Sequence, residues 1–276
     1  MTGAGGFLGK AVTALLRDRG WETLACGRDK SAQVPLDFDD DAWPAEIEKL
    51  APCDAILHLA SRVDLRPDAD ASIFTSTNRD AIKKLATIAK AWGARLVLAS
   101  SVAVYGEAAR VDAGTPAAPA TPYGRAKLEA EEALASAGVP WTALRFAGIF
   151  GLNGPSHLGL NRAIMSALEG RAPTLLGPGQ GRRNYAYVHD AAAAVAEALE
   201  RNLDGVHIVA GSETPTLAQM LDAVASVLCP GSPVERRSGA ASSDMIEAPS
   251  PVLSPGRPFR AALKDIGARS TRKTAC

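Results

Sequence analysis

The chain has 276 residues, with 30 Lys+Arg against 30 Asp+Glu and 47% hydrophobic residues. That length suits one large domain or two interlocked ones, with a core that needs no disulfide or metal to hold it. A formal net charge of +0 argues against a protein that grips nucleic acid with a basic face, and the hydrophobic content excludes wholesale disorder. Cys26, Cys53, Cys229 and Cys276 lie far apart without metal-ligand spacing, so free thiols in a reducing cytoplasm are expected and a metal site is not. No run reaches ~18 apolar residues, and Met1–Gly6 has no basic-then-apolar leader, so neither a membrane span nor a signal peptide is expected.

Val12–Arg19 reads as a helix with Val12, Leu15 and Leu16 on one face, and Glu22–Cys26 reads as a strand. Ala55–Leu59 and Arg95–Ala99 are compact buried-strand candidates. Between them, Asn78–Trp92 carries Ile82, Leu85, Ile88 and Ala89 at helical spacing. Thr121–Ala137 reads as a helix and Trp141–Phe146 as a strand. This alternation predicts an α/β fold, a doubly wound parallel sheet with helices on both faces.

Beyond Gly151 the pattern is mixed. Helices are expected at Asn161–Glu169, Asp190–Glu200 (with Asp190 as its N-cap) and Leu217–Leu228, and a strand at Val206–Ala210. Gly177–Arg183 reads as a loop. Ser232–Pro258, rich in Pro, Ser and Gly, reads as a long loop that is either a plain connector or a substrate lid.

Thr2-Gly3-Ala4-Gly5-Gly6-Phe7-Leu8-Gly9 opens directly onto the first helix. Glycines at 3, 6 and 9 suit a tight turn, close approach of backbone to a pyrophosphate, and close helix–sheet contact. The helix N-terminus adds unpaired N–H groups and about half a positive charge. For NAD, an acidic side chain would be expected about twenty residues on, to hold the adenine ribose. The strand ends instead in Gly27-Arg28, where Arg can pair with a 2′-phosphate, so NADP is favoured over NAD.

Ser100-Ser101 follows the strand Leu96–Ala99 at its carboxyl end, where open α/β sheets place their ligands. Farther on comes Thr121-Pro122-Tyr123-Gly124-Arg125-Ala126-Lys127. Thr121 is a good N-cap and Pro122 a good first residue, so Tyr123 and Lys127 stand one turn apart on one helix face. An ammonium ~4 Å from a phenolate, at an effective dielectric of ~20, is worth ~4 kcal/mol. That is roughly three pKa units, enough to bring a phenol from ~10 towards ~7 and make it a general acid or base.

In this order and in these elements, the motifs resemble the extended short-chain dehydrogenase/reductase family, the epimerase/dehydratase group, over almost the whole chain. Thr2–Gly9 is similar to its T-G-x-x-G-x-x-G. Asp37-Phe38 looks like the pair that contacts adenine, Leu59-Ala60 like the strand end over the cofactor, and Asn78 like the helix-start asparagine. Ser100–Gly106 resembles the serine segment. Leu144–Phe146, Ile149–Gly151 and Arg183–Asp190 resemble the segments leading into the substrate domain.

The resemblance implies a Rossmann-type domain over 1–150 and a smaller substrate-binding α/β region over 151–276, with 183–200 returning to the first. It implies Tyr123 as acid/base, Lys127 holding the nicotinamide ribose and lowering the tyrosine pKa, and Ser101 bonding the reacting oxygen. Gly3, Gly6, Phe7, Leu8, Gly9, Arg28, Asp37, Phe38, Leu59, Ala60, Asn78, Ser100, Tyr123 and Lys127 would bind NAD(P). Ser101 and Arg183 would bind substrate, Arg183 at a diphosphate. Tyr105 is a substrate contact or packing, and His58 reads as a core histidine. A cytoplasmic homodimer through the Thr121–Ala137 helix is implied, with a small-molecule substrate and no nucleic acid or membrane partner.

Three departures accompany the likeness. The family's glycine loop follows a central strand, so several apolar residues are expected upstream of Met1. Nucleotide-sugar members usually carry Asn where this chain has Gly148. The serine segment lacks the Thr-Asp-Glu of sugar 4,6-dehydratases, which disfavours dehydration. Three readings remain: an epimerase or oxidoreductase of a nucleotide sugar, an NADPH-dependent carbonyl reductase of a small substrate, and a non-catalytic NAD(P)-binding sensor or scaffold. In the enzymatic readings a hydride passes between the nicotinamide and a substrate carbon while Tyr123 moves the hydroxyl proton.

Overall fold

The computed structural model describes residues 1–29 and 32–274; Cys276 lies outside them. The elements begin with helix α1 (Phe7–Asp18), strands β1 (Cys26–Gly27) and β2 (Val34–Pro35), and helix α2 (Trp43–Glu48). Strand β3 (Ala55–His58) precedes a 3₁₀ turn at Ala71–Phe74, a π turn at Thr75–Asp80 and helix α3 (Ala81–Trp92). Next come β4 (Arg95–Ser101), a 3₁₀ turn at Val102–Tyr105, β5 (Arg110–Val111), α4 (Pro122–Ala135) and β6 (Trp141–Phe146). They are followed by β7 (Ile149–Phe150), α5 (Gly159–Leu168), β8 (Thr174–Leu176), β9 (Ala186–Tyr187), α6 (Val188–Glu200) and β10 (Gly205–Val209). Helix α7 (Leu217–Leu228), β11 (Glu235–Arg237), β12 (Ile246–Glu247) and α8 (Phe259–Thr274) close the series.

Two compact units emerge. The first comprises Met1–Glu107, Ala113–Phe146 and Ala192–Val209. Its sheet is parallel, with β3, β4, β6 and β10 side by side. Thr2 bridges both Cys26 and His58 in parallel sense, which joins the β1–β2 pair to the other side of the sheet. The spatial order is therefore β2, β1, Thr2, β3, β4, β6, β10, and the winding reverses at Thr2. This is the Rossmann-type doubly wound α/β arrangement. On one face α3 buries Ile82, Leu85, Ile88 and Ala89, the residues its spacing selects, against Ile56, Leu96 and Leu98. Gly93, in the left-handed region at φ +66°, caps that helix.

The second unit comprises Ala108–Asp112, Ala147–Ala191 and Ala210–Cys276. It is built on short parallel pairs, β5 with β12, β7 with β9 and β8 with β11. Buried asparagines tie them together. Asn184 donates to the Glu247 carbonyl at 2.6 Å and accepts from the Glu247 N–H at 3.0 Å. Asn161 accepts from the Gly151 N–H at 3.1 Å and donates to the Ile149 carbonyl at 3.2 Å.

Several sequence expectations need correction. Helix α1 begins at Phe7 rather than Val12, because it starts as soon as the glycine loop releases the chain. The strand expected over Glu22–Cys26 is paired only at Cys26–Gly27, where β2 lies beside it. The expected Asn78–Trp92 helix is a π turn followed by a helix from Ala81. Asp190 is not an N-cap: α6 already runs from Val188, and the Asp190 carboxylate accepts from the Arg257 N–H at 2.8 Å and Nε at 2.7 Å. Within the supposed loop 232–258, β11 and β12 pin the chain to β8 and β5.

His58 is fully buried at the centre of the first unit. Its Nε2 lies 2.9 Å from the Thr77 carbonyl and its Nδ1 2.9 Å from the Thr2 hydroxyl. A carbonyl only accepts, so Nε2 carries the proton and Nδ1 accepts from Thr2. Burial, helped by the nearby Lys127 charge, pushes the imidazole down to about 3 from its ordinary 6.5. The folded chain therefore resists a proton that the unfolded chain takes up. Stability from this group is full above about pH 6.5 and is lost as pH falls towards 3, by roughly 5 kcal/mol over the whole window. Urea denaturation should show His58→Gln, which does not titrate, with a flatter stability curve than the parent between about pH 4 and 6.5; parallel curves would contradict the assignment.

Candidate active site

Gly3 sits at φ +69°, and a Cβ there would lie 2.5 Å from the Ala60 nitrogen; at Gly9 a Cβ would lie 2.0 Å from the Gly3 carbonyl oxygen. Only glycine fits either place. The loop thus folds tightly on itself and on the end of β3, at the point where the sheet reverses. Phe7 and Leu8 form the half-buried first turn of α1, and Gly6 offers no side-chain cap to its N–H groups. A cradle that side chains would fill, at a helix N-terminus, fits the pyrophosphate of a dinucleotide.

Leu59 and Ala60 flank this cradle, half-buried. Phe38 meets His58 edge-on at 5.3 Å and Trp43 at 4.9 Å, while the exposed Asp37 accepts from the Asp39 N–H at 3.1 Å. Arg28 is exposed, and its charge helps hold the Asp39 carboxyl below the ordinary range, behind hydrogen bonds from Ser76 and Arg62. Sequence reasoning saw no acid here. Yet a Cβ on Gly5 would lie 3.0 Å from the Asp29 Cβ, so a carboxylate side chain does pack against the glycine loop.

Two expected cofactor contacts have their polar atoms engaged within the protein. Buried Asn78 accepts from the Arg62 N–H at 2.9 Å and donates to the Arg62 carbonyl at 2.8 Å, fixing the loop after β3. The buried Ser100 hydroxyl donates to Glu131.

Helix α4 starts as its sequence dictates, with the Thr121 hydroxyl accepting from the Gly124 N–H at 3.1 Å and Pro122 in the first turn. Tyr123 is 6% exposed, and the hydroxyls of Ser101 and Ser61 lie close enough to its phenol to favour the phenolate. Lys127 is 1% exposed; its Nζ donates to the Ala99 carbonyl at 2.8 Å and lies 5.9 Å from the Tyr123 ring centre. The structure thus gathers Ser101, Tyr123 and Lys127 at the carboxyl end of β4 and adds Ser61, which sequence reasoning missed.

The expected fall of the tyrosine pKa is corrected. Burial pushes the phenol above its ordinary 10, with only partial relief from Ser101 and Ser61, and burial pulls Lys127 down to about 8 against the opposing charge of Glu131. The ammonium is held by a backbone carbonyl, and for each of the two groups loss of water is the largest effect.

Tyr105 is 3% exposed, and its hydroxyl accepts from Arg145 at 2.7 Å. In the second unit, the half-buried Arg183 donates to the Ser243 carbonyl at 2.6 Å and the Arg182 carbonyl at 2.7 Å. A Cβ on Gly148 would lie 2.7 Å from the Tyr185 ring, so Tyr185 fills the space that an asparagine at 148 would use. Among the described residues, no group of three or more His, Cys, Asp or Glu is gathered to hold a metal, and no helix is long and apolar enough to cross a membrane.

Comparison with known proteins agrees with this architecture. The Bacillus subtilis protein named "uncharacterized UDP-glucose epimerase YtcB" is 26% identical over 184 residues, 63% of this chain and 58% of its own length. The chain thus spans little more than half of that relative. The fold is shared with the UDP-glucose 4-epimerase of Thermus thermophilus in complex with NAD, with a TM-score of 0.82, 23% identity, and 98% and 97% of the two chains covered. It is shared as well with the UDP-N-acetylglucosamine 4-epimerase of Bacillus cereus, with a TM-score of 0.84, 20% identity, and coverage of 97% and 94%. The pattern of the NAD dependent epimerase/dehydratase family matches residues 1–211, and this chain belongs to that family.

Proposed function

We propose that this chain is an NAD(P)-dependent epimerase of a nucleotide sugar, in which Tyr123 is the acid/base. The observation that carries the reading is the buried phenol of Tyr123, with Ser101 and Ser61 beside it and Lys127 one turn away. Ser61 directly follows Ala60, against which Gly3 packs, so the proton-handling group and the glycine cradle are neighbours in one unit. Family membership and the UDP-sugar epimerases named above support the substrate class.

When bound, NAD(P) supplies a two-electron acceptor and donor; Gly3, Gly6 and Gly9 with the first turn of α1 would hold its pyrophosphate. The chain's own part is proton movement. The phenolate form of Tyr123, disfavoured by burial, takes the proton of the substrate hydroxyl as it becomes a carbonyl, and the resulting phenol returns it on reduction. Ser101, beside the same phenol, would orient that hydroxyl, and the Lys127 ammonium would favour the phenolate and hold the nicotinamide ribose. In an epimerase the keto form turns over between the two half-reactions, so no cofactor is consumed. Arg183 would meet the diphosphate, and the chain would work as a cytoplasmic homodimer through α4.

One observation favours a second reading. Tyr185 over Gly148 removes the place of the nucleotide-contacting asparagine, which suits a small carbonyl substrate reduced by NADPH. A single assay separates the two. Purified protein with UDP-sugars and trace cofactor should interconvert 4-epimers with no net change in nicotinamide absorbance. Stoichiometric NADPH loss on aldehydes or ketones, without sugar turnover, would establish the reductase instead.

Tyr123→Phe should lower kcat by about 10²–10⁴-fold with KM little changed; retained activity would remove Tyr123 from the mechanism. Because Lys127 titrates at about 8, kcat should hold below that pH and fall above it as the ammonium is lost. A flat profile from pH 7 to about 9.5 would contradict the need for that charge. On the cofactor, Arg28→Ala should weaken NADP binding about 10-fold or more while sparing NAD, and Asp29→Asn should do the converse, as read by calorimetry. Equal effects on both cofactors would show that neither side chain reads the 2′ position.

A further inference from the structure

Three residues of α4 spaced four apart, Tyr123, Lys127 and Glu131, stand against three consecutive residues of β4. Tyr123 meets the Ser101 hydroxyl, Lys127 the Ala99 carbonyl and Glu131 the Ser100 hydroxyl. Glu131 is only 4% exposed and is held on its other side by Arg145, whose Nε lies 3.0 Å from Oε1 and whose Nη2 lies 2.6 Å from Oε2. Arg145 stands directly across from Ser100 in the β4–β6 ladder and donates to the Tyr105 hydroxyl at 2.7 Å. One carboxylate therefore joins α4, β4 and β6, with Tyr105 tying in the 3₁₀ turn after β4.

We propose that Glu131, clamped by Arg145 and Ser100, is the positioning residue that sets the register of α4 on β4 and thereby the place of Tyr123 and Lys127; this rests on the epimerase reading above. A buried ion pair adds little stability over well-packed apolar residues of the same volume, because both charges must be stripped of water. What it supplies is a single geometry. Two fixed oxygens against a planar fork and a serine hydroxyl leave α4 one place to sit, and a shift by one residue would break the Glu131 and Lys127 bonds together.

Glu131 has a second effect, through its charge. The groups facing Lys127 are Tyr123 and Glu131 from its own helix and His58 from β3, which is neutral; Arg145 on β6 stands behind Glu131. Glu131 is thus the anion that holds the ammonium charged against its burial. Losing it makes Lys127 give up its proton at lower pH.

The test compares the purified full chain with Glu131→Gln, Glu131→Asp and the double variant Glu131→Gln/Arg145→Gln, which leaves no unpaired buried guanidinium should the single change fail to fold. Two readouts are taken: the pH profile of kcat on a UDP-sugar, and the titration of the Lys127 Nζ by ¹⁵N-lysine NMR, which needs no turnover. In Glu131→Gln or the double variant, both midpoints should move down by about one pH unit. At pH 7.5, kcat should fall about 10-fold with KM within about twofold, the sign of displaced catalytic groups rather than lost substrate contacts. Glu131→Asp should keep the parental midpoint. A folded variant without Glu131 whose Nζ midpoint and pH profile match the parent would overturn the proposal. A parent chain inactive on every UDP-sugar would defeat only the epimerase reading, because the Nζ titration still decides the role of Glu131.

Discussion

The structure turns on a buried ammonium hydrogen-bonded to the carboxyl end of a strand. Lys127 is almost wholly removed from water, yet its Nζ is placed by the Ala99 carbonyl and its charge is opposed by Glu131 one turn on. Burying a lysine is costly, and folds accept that cost where the charge is used or where partners replace the lost water. Here the partners lie on β4 and α4, so sheet and helix must be assembled before the charge is tolerable. Tyr123 depends on the same arrangement, since the strand that receives Lys127 also delivers Ser101 to the phenol.

The sequence carried this region well because its signals are local. A threonine cap, a proline in the first turn and a four-residue spacing define the start and the inner face of α4 without reference to the rest of the chain. The glycine loop was legible for the same reason. The ionisation states were not. They depend on desolvation, which no spacing records, and burial reversed the sign expected for Tyr123. Glu131 continues the series at 123 and 127, so a longer look down the helix face could have found it. Ser61 and Arg145 had no such signal; Ser61 comes from the loop after β3, and Arg145 from β6 across from Ser100 in the parallel register.

Short strands were the other blind spot. β1, β2, β5 and β12 each have two residues, too few for any alternation to show. Two of the short strands, β11 and β12, turn what composition marks as a loose linker into a stretch held at two points. At the glycine loop, Thr2 bonds to β3 through its backbone and to His58 through its hydroxyl, and His58 in turn holds the π turn. A neutral imidazole is thereby fixed in one tautomer between the loop and the segment that carries Asn78.

Tyr185 lying over Gly148 couples two positions that are distant in sequence. Any side chain gained at 148 meets an aromatic ring already there, and removing that ring alone opens a void beside a bare backbone. Each position thus constrains what selection can do with the other. A single change at either position therefore passes through a poorly packed state, whereas a paired change need not.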